Sequence, residues 1–221
     1  MLEEVSGKER MDGWNAVLGG HLPLDGYPTP AQPQFYCPCV QMRPLTEDET
    51  RTLFEKLSKY IGRNITHLVD RADEPYCFRL QKDRVYYASE ALYKKSTNVA
   101  REKLHSVGIC LGKFTKSGKF RLQITALDVL AQYCRYRVWI KASAEQSFVY
   151  GNHILKAHVA RMSEDAPEHE GIVVFSASEV PLGFATTAKS SAEFARMDPT
   201  GIVAFHQADI GEYLRAEDTL I

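Results

Sequence analysis

Cations interleaved with aromatics are the chain's clearest chemical signal. Lys113-Phe114-Thr115-Lys116-Ser117-Gly118-Lys119-Phe120-Arg121 crowds positive charge around one turn. Two readings fit that cluster. One is contact with nucleic-acid phosphates, which releases counterions. The other is lysines guarding exposed strand ends against edge-to-edge association. Further on, Tyr136-Arg137-Val138-Trp139-Ile140-Lys141 alternates apolar and polar residues, which puts Arg137 and Lys141 on one face away from the core.

Catalysis needs convergent groups, and none are legible. The sequence lacks a Walker loop, a Gly-x-Gly-x-x-Gly, a Gly-x-Ser-x-Gly elbow and a His-Glu-x-x-His. Seven histidines are scattered. His153 and His158, five apart, would project roughly 140° from each other on a helix, a poor spacing for joint metal ligation. His206, ending an apolar strand, reads as structural, and Asp128 suits a helix first turn as well as a base. Five cysteines are an odd number for a disulfide framework. Cys37 and Cys39 stand too close for the usual zinc spacing and no second pair completes a site. Cys77, Cys110 and Cys134 lie in apolar runs as small hydrophobes. Asn64-Ile65-Thr66 matches the glycosylation pattern, but no secretory signal accompanies it. The expectation is therefore no metal, no cofactor and no enzymatic activity.

The elements that must position those cations follow from composition and pattern. A chain of 221 residues, 44% hydrophobic and 25% charged, is of ordinary globular composition, which excludes disordered, collagenous and coiled-coil classes. No apolar run approaches the ~20 residues that span a bilayer. A soluble, intracellular protein without membrane contact is expected. The formal net charge of -1 hides segregation: residues 79–161 hold 16 basic and 5 acidic side chains, residues 162–221 hold 3 and 11. Either a basic surface results, or the two kinds interleave in space and cancel.

Residues 1–41 carry 5 of the 10 prolines and 5 of the 14 glycines and read as a flexible extension. From residue 42 the pattern sharpens. Thr46-Glu47-Asp48-Glu49 is a capping box, Leu53, Phe54, Leu57, Tyr60 and Ile61 follow at helical spacing, and Gly62 stands where a helix would end. That predicts a helix over 47–61. Strands are expected at 76–80 and 84–88, a helix capped by Ser89 at 90–96, and a hairpin of 107–114 with 119–125. Thr125 is a candidate cap for a short helix through 128–133. Strands at 136–140, 171–176, 182–188, 201–206 and 210–215, interrupted by a helix near 152–158, suggest a small barrel. The fold class is α/β (α+β) in two domains: a mixed α/β domain over 42–133, then a β pseudobarrel over 134–221.

Several of these segments resemble a known family. They are Met42-Arg43-Pro44-Leu45-Thr46-Glu47, Tyr76-Cys77-Phe78-Arg79-Leu80, Leu111-Gly112-Lys113-Phe114-Thr115-Lys116, Val138-Trp139-Ile140-Lys141, Ala144-Glu145-Gln146-Ser147-Phe148, Tyr150-Gly151-Asn152-His153 and Phe205-His206-Gln207-Ala208-Asp209-Ile210-Gly211-Glu212-Tyr213. They are similar to the eukaryotic and archaeal ribosome-biogenesis factors called, in words, Nip-seven, over residues 42–221. Met42 resembles that family's initiator, and the 41-residue extension has no counterpart in it.

The resemblance implies an α/β domain followed by a PUA domain, the RNA-binding pseudobarrel. It also implies a non-catalytic, monomeric, nucleolar (nuclear) factor that binds pre-rRNA and pre-60S particles alongside other assembly factors and supports pre-rRNA processing. By position, the RNA-binding surface would comprise Gly151, Asn152, His153 and Lys156, with Arg137, Lys141, Arg161, Lys189 and Arg196 adding charge. A glycine there lets backbone approach phosphate, and a helix start would offer free amides to an anion. Three departures stand out: Ala142-Ser143 replaces the family's Pro-Gly, and His158 and Ala185 each replace a glycine. If position 158 needed a positive φ, histidine would cost about 1 kcal/mol. Two rival readings are an RNA-modifying enzyme and a protein-binding scaffold with little RNA affinity.

Overall fold

The computed structural model describes residues 42–99 and 103–220. The expected flexible extension and the Cys37/Cys39 spacing fall outside the described residues. Five strands, β1 (Arg43–Pro44), β2 (Tyr76–Gln81), β3 (Arg84–Ser89), β4 (Ile109–Phe114) and β5 (Phe120–Leu122), pair antiparallel in chain order. Helix α1 (Glu47–Ile61) lies against one face of that sheet. Its start is the capping box read from sequence: Thr46 Oγ1 accepts from the Glu49 amide at 3.3 Å, and Glu49 accepts from the Thr46 amide at 2.9 Å. Arg43 locks the same carboxylate with two bonds of 2.7 and 2.8 Å. Gly62, at φ 62°, ends the helix.

Leu53, Leu57, Tyr60 and Ile61 form the buried stripe of α1. Each fully buried leucine contributes roughly 2 kcal/mol from apolar burial. Phe54, Phe78, Tyr87 and Tyr76 stack in sequence beneath the helix, with centroid separations of 4.8 to 5.6 Å. The Tyr87 hydroxyl donates to the Leu68 carbonyl in α2 (Thr66–Val69) at 2.8 Å. The other sheet face is covered by α3 (Glu90–Ser96), capped by Ser89 as expected, with Tyr86, Ala88 and Cys110 buried there beside Tyr93.

The second half forms a six-stranded sheet of β6 (Arg137–Ile140), β7 (Ile154–Leu155), β8 (Val159–Met162), β9 (Gly171–Phe175), β10 (Pro181–Thr187) and β11 (Ile202–Asp209). The spatial order is β7-β11-β10-β9-β6-β8, antiparallel except for β6 beside β9. A 3₁₀ turn over Lys156–His158 joins the edge strands β7 and β8, so the sheet nearly closes on itself. Val138, Ile140, Ile154, Ile172, Val174, Leu182 and Val203 fill the interior.

Strand β9 explains how the halves join. All five of its residues are buried, because Ile172 and Val174 point into the barrel while Val173 and Phe175 join the core of α1 and α4 (Leu127–Tyr133). Gly171 is obligatory at this seam: a Cβ there would collide with the Tyr60 ring. Tyr60 also packs edge-on against Phe184 at 5.4 Å, and burial pushes its hydroxyl pKa up to about 12. The core under α1 and α4 therefore takes side chains from both halves, and the barrel interior lies on the other side of β9.

Four local expectations need correction. Residues 152–158 are not a helix; the helix is α5 (Ala142–Val149), with Ala144 and Phe148 buried one turn apart, and Ala142-Ser143, in place of the family's Pro-Gly, are its first residues. Residues 210–215 are not a strand but α7 (Glu212–Arg215). There Asp209 accepts from the Gly211 amide at 2.7 Å and from Arg215, which winds the chain into a turn. Thr125 does not cap α4; its hydroxyl reaches back to the Cys110 carbonyl. His158 is not among the residues with positive φ, so no strain attaches to it. After α6 (Ser191–Phe194) and β11, the chain ends in α8 (Glu217–Leu220), returning to the first sheet where Arg84 donates to the Thr219 and Leu220 carbonyls.

Candidate nucleic-acid interface

The β4–β5 turn is laced by its own hydrogen bonds. Thr115 Oγ1 accepts from the Lys119 amide at 3.2 Å, the Thr115 amide donates to the Lys119 carbonyl at 2.9 Å, and Gly118 takes φ 74°. The cations around it thus project from a fixed tip. In register, Lys113 lies opposite Arg84 on one side and Arg121 on the other. Like charges directly opposite each other on adjacent strands are unfavourable. Arg84 is relieved by the carbonyls of α8. Lys113, Lys116, Lys119 and Arg121 are exposed, and among the described residues none pairs with a carboxylate.

The barrel cations sit in different surroundings. Lys156 is half-buried, donating to the Ala195 carbonyl at 3.0 Å and to that of Met197, with its ammonium 5.8 Å from the Phe194 ring. Lys189 bridges Glu168 and Glu193, each at 3.6 Å. Lys141 donates to the Ala157 carbonyl at 2.8 Å. Arg137 lies over Phe175 and donates to Cys134 Sγ at 3.1 Å. Arg161 stacks on Trp139 at 3.7 Å and pairs with Glu179. Arg196 is exposed. The fold gathers Lys141, Lys156 and Arg196 about the 3₁₀ turn, sets Arg137 and Arg161 around the Trp139–Phe175 stack, and leaves Lys189 among carboxylates.

Gly151, Asn152 and His153 do follow one another on an exposed loop, with Gly151 at φ 90°. They stand at a helix end, however, not a helix start. The amides of Tyr150, Gly151 and Asn152 donate to carbonyls of α5, so that loop offers no row of free donors to an anion. His153 instead accepts from the His206 amide at 3.2 Å and meets Phe205 edge-on. Asp209, wholly buried, is held by His206, Arg215 and the Gly211 amide, which clasps β11 to α7.

The model of the NIP7/UPF0113 pre-PUA domain matches residues 42–124, and that of the UPF0113 PUA domain matches residues 136–218. The chain belongs to the NIP7/UPF0113 family. It is 64% identical over 179 residues to the 60S ribosome subunit biogenesis protein nip7 of Schizosaccharomyces pombe, covering 81% of this chain and 99% of that one. It is 63% identical to the protein of the same description from Saccharomyces cerevisiae, with the same coverage. A crystallised PUA domain protein of Aeropyrum pernix shares the fold at a TM-score of 0.53 and 14% identity, over 79% of this chain and 89% of that one.

Within this NIP7/UPF0113 architecture, the β4–β5 hairpin of the pre-PUA sheet carries cations without carboxylate partners among the described residues, while Lys141, Lys156, Arg161 and Lys189 of the PUA half are engaged by carbonyls, carboxylates or an aromatic ring. Sequence reasoning missed two contributors beside the hairpin, Lys56 on α1 and Gln207 on β11. Lys56 flanks the apolar stripe of its helix, a position that reads as ordinary solvent-facing lysine until the packing of α1 on β5 is known. No helix among the described residues is long and apolar enough to cross a membrane, and no group of three His, Cys, Asp or Glu side chains among them could hold a metal ion.

Proposed function

We propose that this chain is a non-catalytic RNA-binding factor that supports pre-rRNA processing and assembly of the 60S ribosomal subunit. It acts in the nucleolus on pre-60S particles together with other assembly factors. Membership of a family whose relatives are named as 60S biogenesis proteins supports the assembly role. The observation that carries the RNA contact is the set of hairpin cations without carboxylate partners, set on a rigid turn next to a PUA barrel. Exposed guanidinium and ammonium groups held that way suit a phosphate backbone, and sequence-independent affinity comes mainly from such contacts.

The test is crosslinking of the chain to RNA in nucleolar extracts, with sequencing of the bound fragments, alongside a salt titration of purified protein with single-stranded RNA. With four phosphates neutralised, log affinity is expected to fall with log salt at a slope of about -3. An affinity indifferent to salt overturns the reading. One observation favours the scaffold alternative: Tyr150, Phe205, Tyr213 and Leu214 expose apolar surface on the PUA half, the last at 89%.

A further inference from the structure

Beneath the hairpin, α1, β5, β10 and β11 enclose a cleft of about 420 Å³. Its apolar walls are Phe120, Leu122 and the pair Tyr60 and Phe184, packed edge to face. Its polar groups are Lys56 from α1, Lys119 and Arg121 from the β5 segment, and Gln207 from β11 of the PUA half. No carboxylate lines it. Among the described residues, none of the three cations makes an ion pair. Lys56 is half-buried, and its pKa is lowered first by burial, then by the charges of Lys59 and Arg121. A half-buried ammonium held beside like charges without a counterion costs free energy that a bound anion relieves.

The cleft's size matches that of sites for small groups. Arg121, which lines it, lies opposite the exposed Lys113 on β4, and Lys116 stands at the tip of the same hairpin. Gln207 adds an amide donor from the opposite side. We infer that this cleft seats a backbone phosphate of single-stranded RNA, held jointly by Lys56, Lys119 and Arg121 of the pre-PUA half and Gln207 of the PUA half. The inference rests on the RNA-binding reading above and adds a location the sequence-derived residues do not include. RNA seated there bridges the two halves, which the shared core under α1 and α4 already holds at fixed spacing.

The test measures fluorescence anisotropy of a labelled single-stranded RNA with the full chain across a salt series, and thermal melting confirms that each variant is folded. The combined K56Q/K119Q/R121Q variant is expected to lose about tenfold in affinity and to reduce the salt slope by about 0.7, the share of one phosphate. Q207E, which brings a carboxylate to the same cleft from the PUA side, is expected to weaken binding about threefold. Phosphorus NMR with inorganic phosphate checks the source of the anion: phosphate that fills the cleft should compete with RNA. If phosphate binds there and RNA affinity is unaffected, the assignment to RNA fails. If both variants bind RNA as the wild type does while K113Q/K116Q does not, the cleft site fails and the RNA-binding reading survives. A wild-type chain without salt-dependent RNA affinity overturns both.

Discussion

The hairpin of the pre-PUA sheet and the rim of the PUA barrel carry the same kinds of cation in opposite circumstances. Around the hairpin, Lys113, Lys116, Lys119 and Arg121 reach solvent with no carboxylate among the described residues against them. In the barrel, Lys156 closes a loop by donating to two carbonyls, Lys189 bridges two glutamates and Arg161 is shared between Trp139 and Glu179. The difference follows from the charge map. Carboxylates are sparse over residues 79–161, whereas the acidic stretch 162–221 brings Glu168 and Glu193 to Lys189 and Glu179 to Arg161. A cation's presence in the sequence thus says little until the fold shows which opposite charge or carbonyl it faces.

The comparison breaks most directly at the hairpin. The double substitution K113E/K116E is expected to reduce affinity for single-stranded RNA tenfold or more at low salt, and the melting temperature should hold, because neither side chain has a partner among the described residues to lose. Anisotropy and melting curves on the same preparations check this; an affinity unchanged within error erases the distinction between the regions. Lys156→Ala should do the reverse. Losing the bonds to the Ala195 and Met197 carbonyls is expected to cost about 2 kcal/mol in urea unfolding, with the salt slope of RNA binding unaltered. A stable variant with a weakened RNA complex would return Lys156 to the binding surface.

The smallest effect concerns a carboxylate that fixes the fold and leaves the basic face alone. Arg43 and the Thr46 cap hold the Glu49 carboxyl at about 2 instead of the ordinary 4.5. A folded pKa depressed in this way contributes stability that is complete above 4.5 and is lost as pH falls toward 2. Urea midpoints of the wild type should therefore decline across that window more steeply than those of Glu49→Gln. Parallel curves would show the pair to be without consequence, as many solvent-exposed ion pairs are.

Legibility tracked how local each cause was. The α1 boundaries, the Ser89 cap and the hairpin followed from side chains within a few residues of each other. The helix at Ala142–Val149 was missed because Ala144 and Phe148, its only buried residues, are too few to show a period; the neighbouring stretch 152–158 then drew the assignment. Residues 210–215 read as a strand because Ile210 and Leu214 are apolar, while the bonds from Asp209 that wind the turn cannot be seen in a residue pattern. Among the candidate binding residues, Arg121 and Lys119 were visible only as part of a charged run, and Gln207 and Lys56 carried no signal.

The sequence by itself determined the family, the two layers of local structure and the net excess of cations between residues 79 and 161, since each depends on residue type and near spacing. Tertiary structure alone decided which cations stay free. Pairing is a matter of distance in space, and strands far apart in the chain set those distances: β9 joins the two cores, β11 delivers Gln207 to α1, and residues 168, 179 and 193 bring their carboxylates to the barrel lysine and arginine.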